Sequence, residues 1–531
     1  MRKYPIIYPY LFALYPIISL LSSNVTQLEE NLALRPMFLS ILACVLMLIF
    51  GYLIFKNWDK SSLLASLILT LFFSYGHIYL AIEGKEIGLF VFGRHRLLIP
   101  IWIFIFGAGL IFILRLKQDA SKWRFNLNIV AFILFSMPAI SLIWINISQI
   151  ITPHQNQIID SSKISTIDQS SPDIYYIILD SYARDDVLNK MYDYDNSSFL
   201  DELEKMGFVV AHKAQANYPN TALSISSSLN MNYLEDFSGP HNPSSTNLTP
   251  LYDRIKDNLV FQLFKQMGYT TVTFETGYTG TEIKKSDMYL KPPEQDSGLF
   301  GPPNLFEGLL IQTSALRIII EFSSLFPEVI KPNLAAAFND HRERILYDFE
   351  VLTSLPKTDG PKFVFLHIVS PHPPFVFGPN GVPINPPSNF TFEVQGQFSN
   401  RSSFINSYVN QIKYLNNRLL DIIDNIQENS EIPPIIILQS DHGPGASAIG
   451  NEETPLSYID ERFSILNVFY LPNCGENQIY SSISPVNTFR FILTNCFSSD
   501  YELLPDRSFL SDYQTPLNLK EIEYINLNPS N

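Results

Sequence analysis

The stretch IIILQSDHGPG, residues 435–445, runs four branched apolar residues, Ile435 to Leu438, into Asp441 and His442, followed by Gly443-Pro444-Gly445. An unbroken apolar run of this kind reads as a strand buried on both faces, the pattern of a parallel sheet covered by helices. An acid and an imidazole at the end of such a strand are costly to bury unless something is bound to them. The question for the rest of the chain is whether it brings matching groups.

Working outward, DIYYIILD (173–180) and KFVFLHIV (362–369) repeat the buried-strand pattern. PPIIILQS (433–440), YTTVTFET (269–276) and SILNVFYL (464–471) extend the set. Between them lie helix-like stretches: 186–207, 258–268, and a long one at 404–427 with apolar residues every three or four positions. Strands alternating with helices predict an α/β domain, a mostly parallel sheet flanked by helices, over residues 171–531. Functional groups in such sheets gather beyond the carboxyl ends of the strands. Residues 280–305 and 371–390, rich in Pro and Gly, read as long surface loops.

Residues 1–150 differ in kind. Five apolar runs, at 6–22, 37–55, 63–82, 97–114 and 129–147, each approach the ~20 residues that carry a helix across ~30 Å of hydrocarbon. They predict a five-helix transmembrane bundle, and 151–170 reads as a polar linker. With the amino terminus inside, the inner connections hold eight basic residues (Arg2, Lys3, Lys56, Lys60, Arg115, Lys117, Lys122, Arg124). The outer ones hold four (Arg35, Lys85, Arg94, Arg96), so positive charge favours that orientation. An odd number of spans then exports everything after residue 150, to the periplasmic or extracellular side of a bacterial inner membrane.

The exported part carries 24 basic and 45 acidic residues, a net of −21. That surface repels phosphate backbones and excludes a nucleic-acid partner. No protein partner is indicated. Cys474 and Cys496 lie in the exported part, where an oxidising compartment would let them pair; spacing alone leaves this open.

The chemistry-bearing residues fall at strand ends. Asp180 closes YYIILD, His367 and His372 lie in FVFLHIVSPHPPF, and Asp441 and His442 follow IIILQ. In ANYPNTALSISSSLN (216–230), Pro219 and Asn220 lead into Thr221 at the head of a small-residue helix. A hydroxyl there is either a cap or a nucleophile set in the positive end of the helix dipole. Singly, each residue has an ordinary reading: Asp180 as a helix cap, His367 as a core histidine, His372 as a loop residue. Together, two carboxylates, an imidazole and a hydroxyl suit one divalent metal ion of the Zn or Mn kind.

In this order, YYIILDSYARDD, NYPNTALSISS, SPHPPF and LQSDHGPG, the chain resembles the sulfatase-like branch of the alkaline phosphatase superfamily. More closely it resembles lipoteichoic acid synthases and lipid A phosphoethanolamine transferases, which join five N-terminal spans to an exported α/β domain. The resemblance implies metal ligation by Asp180, Thr221, Asp441 and His442. It implies a phosphorylated nucleophile at Thr221 and a substrate or leaving-group histidine at His372. His367 is carried over as a further catalytic candidate without a firm counterpart. The site departs from true sulfatases, since NTALS lacks the C/S-x-P-x-R motif that becomes formylglycine. Few further Asp and His positions stand near the motifs, so one metal is expected rather than two. Arg462 is either a contact for an anionic substrate group or a surface salt bridge.

The resulting expectation is a metal-dependent phosphotransferase. It would move a phospholipid head group, of phosphoglycerol or phosphoethanolamine type, from a membrane lipid donor to an envelope glycan or lipid acceptor. The rivals are a phosphodiester or sulfate-ester hydrolase of the same superfamily, and a non-catalytic glycan-binding assembly protein.

Overall fold

The computed structural model describes residues 4–24, 30–83, 86–87, 90–91, 94–116, 121–151, 171–236, 245–293, 303–322, 335–384, 392, 398, 400–449, 455–472, 474–475, 478–511 and 515–522. The chain forms two compact units. The linker expected at 151–170 lies, from residue 152 on, outside the described residues.

The first unit takes in Met1–His154 and, unexpectedly, Gln295–Ala337. Its helices are α1 (Tyr8–Asn24), α2 (Leu34–Phe55), α3 (Trp58–Ile82), α4 (His95–Arg115) and α5 (Ser121–Ile151). Four stretches among the described residues, Asn31–Phe55, Trp58–Ile82, His95–Arg115 and Trp123–Trp144, are long and apolar enough to cross a membrane. The expected count of five is corrected to four. Helix α1 has 17 residues, roughly 26 Å at ~1.5 Å per residue, short of the ~30 Å hydrocarbon core. Its Ala13, Ile17 and Leu21 are buried, and Tyr8 shares a 2.6 Å hydrogen bond with Ser62 of α3. On the other helices, Phe104, Met137 and Trp144 stand 75%, 67% and 71% exposed. Large rings and thioethers left so bare are the mark of a surface that faces something other than water.

The returning stretch supplies two short helices, Leu305–Thr313 and Arg317–Glu321. Glu307, in a capping box with Asn304, pairs with Arg35 through both its oxygens. Arg317 reaches Glu83 at 3.1 Å and lies over the Tyr79 ring. The surface loop expected at 280–305 therefore gives way to an edge strand, described next, and to the start of this return.

The second unit is built on a seven-stranded sheet. Its strands are β1 (Ile174–Leu179), β2 (Val209–Val210), β3 (Thr270–Phe274), β4 (Met288–Leu290), β5 (Lys362–Ile368), β6 (Ile435–Gln439) and β7 (Asn467–Tyr470), ordered β2-β7-β6-β1-β5-β3-β4. β6, β1, β5, β3 and β4 run parallel, and β7 and β2 add antiparallel pairings at one edge. The five strands expected from apolar runs are all present. Every residue of β1, β5 and β6 is buried, as strands covered on both faces require. On one face Tyr176, Phe365 and Ile437, in register across the three central strands, join a core with Leu223, Phe264 and Phe489. Cys474 and Cys496 are disulfide-bonded.

Candidate active site

The central strands end together. The Asp180 amide donates to the Ile368 carbonyl (3.0 Å), and the Asp180 carbonyl accepts from the His372 amide (3.0 Å), which stitches the end of β1 to the turn after β5. After β6, the Ser440 hydroxyl donates to the His442 carbonyl (2.7 Å) and accepts from the Tyr182 amide (2.8 Å). Gly443 then passes so close to the neighbouring chain that a Cβ there would stand 1.9 Å from the Glu461 carbonyl oxygen. Gly443→Ala must push 441–443 away from 461–462; overpacking of this kind costs about 1–3 kcal/mol. A lowered melting temperature together with lost activity is expected, and an unchanged melt would contradict the packing.

Asp180, His367 and Asp441 each bring one ligand-type atom within 4.8 Å of the others. His367 Nε2 lies 3.3 Å from Asp180 Oδ2; His442 Nε2 lies 3.4 Å from Asp441 Oδ2 and 3.9 Å from Asp180 Oδ1. The Thr221 hydroxyl is 3.2 Å from His442 Nε2. The expected set of Asp180, Thr221, Asp441 and His442 is thus brought together. His367, expected among the catalytic groups, joins the ligand-type atoms instead, because its place in β5 opposite Ile178 turns it toward Asp180.

A divalent cation fits these residues. Asp441 Oδ2 and His367 Nε2 are buried without a hydrogen bond of good geometry, and orphaned polar atoms aimed at one point call for a partner. Both imidazoles are held by their other nitrogen. His442 Nδ1 faces the Gly443 carbonyl at 3.0 Å and the Ser181 hydroxyl at 3.2 Å. His367 Nδ1 meets the Thr281 hydroxyl at 3.0 Å. A carbonyl acceptor assigns the proton to His442 Nδ1, which leaves the Nε2 lone pair for the centre of the cluster. The donor set mixes imidazole nitrogen with carboxylate oxygen.

The electrostatics say the same. Burial, then the neighbouring Asp180 carboxylate, pushes Asp441 up to about 7. Burial also acts to raise Asp180, but the His372, His367 and His442 imidazoles outweigh it and hold this carboxyl below its ordinary range. Burial, followed by the Arg462 charge, drives His442 well down. Two carboxylates in one dry site cannot both ionise comfortably without a cation.

Thr221 is the first residue of helix α6 (Thr221–Asn230), and it is not the cap. Asn220 caps the helix, its side chain accepting from the Leu223 amide at 3.2 Å. The Thr221 hydroxyl is thereby released to the site in the positive end of the helix dipole. Ser224, one turn on, is buried and donates to the Asp441 carbonyl (2.7 Å), so it holds the ligand backbone and is no rival nucleophile. His372 donates from Nδ1 to the Pro373 carbonyl (2.6 Å), which leaves Nε2 for proton exchange.

Arg462 corrects the surface reading. It is 4% exposed and bonds the Pro219 carbonyl (2.5 Å), the Gly443 carbonyl (2.7 Å) and His442 Nε2 (3.3 Å). It ties the loop before α6 to the turn after β6 and sets a positive charge beside the site.

Two contributors had little sequence signal. Ser181 adopts a left-handed φ of 66°; its amide donates to Asp441 Oδ1 (3.1 Å) and its hydroxyl to Asp180 Oδ1 (3.0 Å). A non-glycine residue held there is strained by about 1–3 kcal/mol, a cost typical of functional sites. Its only hint was a hydroxyl directly after the strand-end acid. Thr281, 86 residues from His367, gave none.

The sulfatase family's pattern matches residues 172–465. Among curated proteins no relative matches the sequence. Several solved structures are similar. The Zn complex of the C-terminal periplasmic domain of EptC from Escherichia coli has TM-score 0.42 and 14% identity, covering 68% of this chain and 96% of that one. The integral membrane lipooligosaccharide phosphoethanolamine transferase A of Neisseria meningitidis has TM-score 0.37 and 12% identity, covering 92% and 94%. The putative sulfatase yidJ from Bacteroides fragilis has TM-score 0.36 and 14% identity, covering 62% and 75%. With more than half its length matched, and Asp180 through Arg462 inside that match, the chain belongs to the sulfatase family of the alkaline phosphatase superfamily.

Proposed function

We propose that this chain is a membrane-anchored phosphotransferase. It would transfer a phosphoglycerol or phosphoethanolamine head group from a membrane lipid to a hydroxyl of an envelope glycan or lipid, by way of phospho-Thr221. The observation that carries this reading is the Thr221 hydroxyl, uncommitted to capping and 3.2 Å from His442 Nε2. A divalent ion held by Asp180, Asp441, His442, His367 and Thr221 would supply Lewis-acid stabilisation of the alkoxide and of the phosphoryl oxygens.

The chain's own residues do the rest. Thr221 Oγ1 passes its proton to His372 Nε2 and attacks phosphorus, the bond from phosphorus to the diacylglycerol oxygen breaks, and that oxygen leaves with the proton from His372 Nε2. In the second displacement the acceptor hydroxyl gives its proton to His372 Nε2, its oxygen attacks phosphorus, the bond to Thr221 breaks, and Thr221 Oγ1 leaves with that proton. Two displacements on one nucleophile follow ping-pong logic. Arg462 fixes His442 and the loop carrying Thr221, and its charge favours an anionic substrate. The apolar helices of the first unit keep the enzyme where lipid donors are.

Full-length protein in vesicles of phosphatidylethanolamine and phosphatidylglycerol tests this. Diacylglycerol should be released, faster when an acceptor is added, with chelation stopping release and Zn or Mn restoring it. Release of sulfate from sulfate esters with no diacylglycerol would overturn the reading.

A further inference from the structure

The returning stretch 303–316 and the α2–α3 pair line an open groove of about 430 Å³ that the reaction above does not use. One wall is Leu39, Ala43 and Met47 of α2, the second Leu69 and Phe72 of α3, and the third Leu310 of the return. Arg35 and Glu307, paired with each other, stand at one end. The return is seated closely on α3. The Ala315 amide donates to the Phe72 carbonyl (2.8 Å), and a Cβ on Gly76 would come within 2.3 Å of the Thr313 carbonyl carbon. Its break between helices, at Ser314, is fully buried, as non-helical backbone at membrane depth must be.

Shape selects the occupant. From Arg35 to Met47 is about twelve residues, roughly 18 Å of helix, close to the ~15 Å depth of one leaflet. A volume of 430 Å³ over that length leaves a bore of roughly 8 Å once the width of a water is included, too narrow for a helix of ~10–12 Å. A single extended hydrocarbon chain suits both dimensions. The charged end suits a lipid whose polar part stays at the interface, and Arg35 with Glu307 offers both signs to a zwitterionic head group.

We infer that this groove holds one acyl chain of a membrane glycerophospholipid. That the lipid is the donor rests on the function proposed above; the groove itself rests only on the apolar helices and the return.

Full-length protein in phosphatidylethanolamine–phosphatidylglycerol vesicles, doped with a phosphatidylethanolamine bearing a diazirine on one acyl chain, is irradiated and its adducts mapped. Adducts should concentrate on groove residues of α2, α3 and 303–316, several-fold above those on the exposed Phe104 and Trp144. Ala43→Trp should remove most of the groove adducts, and Leu310→Trp, from the opposite wall, should do the same if the first variant fails to fold. Thermal melting identifies which of the two variants folds. Adducts spread evenly over α2, α4 and α5, or undiminished by either folded variant, would mean surrounding lipid only and overturn the inference. Because crosslinking needs no turnover, groove labelling in a protein that forms no phospho-threonine would sink the transferase reading and leave the groove standing.

Discussion

Thr221→Ala should lower turnover of the lipid donor by at least ~10⁴-fold, about 5 kcal/mol of lost transition-state stabilisation, since removing a covalent nucleophile leaves only binding and electrostatics. The fold should hardly notice. Asn220 keeps the cap of α6, and a substitution that leaves a cap intact changes stability by no more than ~1 kcal/mol. Metal content should also persist, because Asp180, His367 and Asp441 still converge. Three assays on one preparation decide it: donor turnover, thermal melting and elemental analysis. Retained turnover would remove Thr221 from the nucleophile's role. Since Ser224 is bound to the Asp441 carbonyl, the covalent mechanism would then have no obvious owner.

The second large effect belongs to His442. Removing its imidazole deletes a nitrogen that lies within 4 Å of both carboxylates and beside the nucleophile. Outer-shell partners of a metal typically contribute 10–100-fold in affinity. His442→Ala should exceed that range and lose activity in proportion. The variant should also forfeit the stabilisation that bound metal confers, about 2.7 kcal/mol at one hundred times the dissociation constant. Melting with and without added Zn should therefore separate wild type strongly and the variant little. A variant with full metal content and an undiminished Zn-dependent shift would remove His442 from the ligand set.

Much of this architecture was legible because parallel strands leave a strong imprint. The runs at 173–180, 362–369 and 433–440 had to be apolar throughout to be buried on both faces, and any acid or imidazole at their ends stood out. Asp180, Asp441 and His442 were found that way. Thr221 was legible as a hydroxyl at a helix start, although the residue before it proved to be the cap.

The rest depended on contacts distant in sequence. His367 sits inside an apolar strand, where nothing local separates a ligand-type imidazole from a packed one; the deciding partner is Asp180 across the sheet. Arg462 stayed between a substrate contact and a surface salt bridge because its acceptors are carbonyls of Pro219 and Gly443, which a sequence does not display. The return at 303–322 was hidden for a similar reason. Its two helices are too short to signal a membrane segment, and the Arg35–Glu307 pair that fastens them spans 272 positions. The first apolar run was read as a span from its composition, but the helix it forms, Tyr8–Asn24, has only 17 residues.

The central claim is that Thr221 becomes covalently phosphorylated by a membrane lipid. Full-length protein incubated with phospholipids labelled in the head group, quenched in acid, digested and analysed by mass spectrometry tests it directly. The account predicts a peptide containing Thr221 that carries the intact phosphoglycerol or phosphoethanolamine group, lost when acceptor is added and absent in Thr221→Ala. Turnover of the same lipid with no modified Thr221 under any quench, or with the label on another residue, would contradict it.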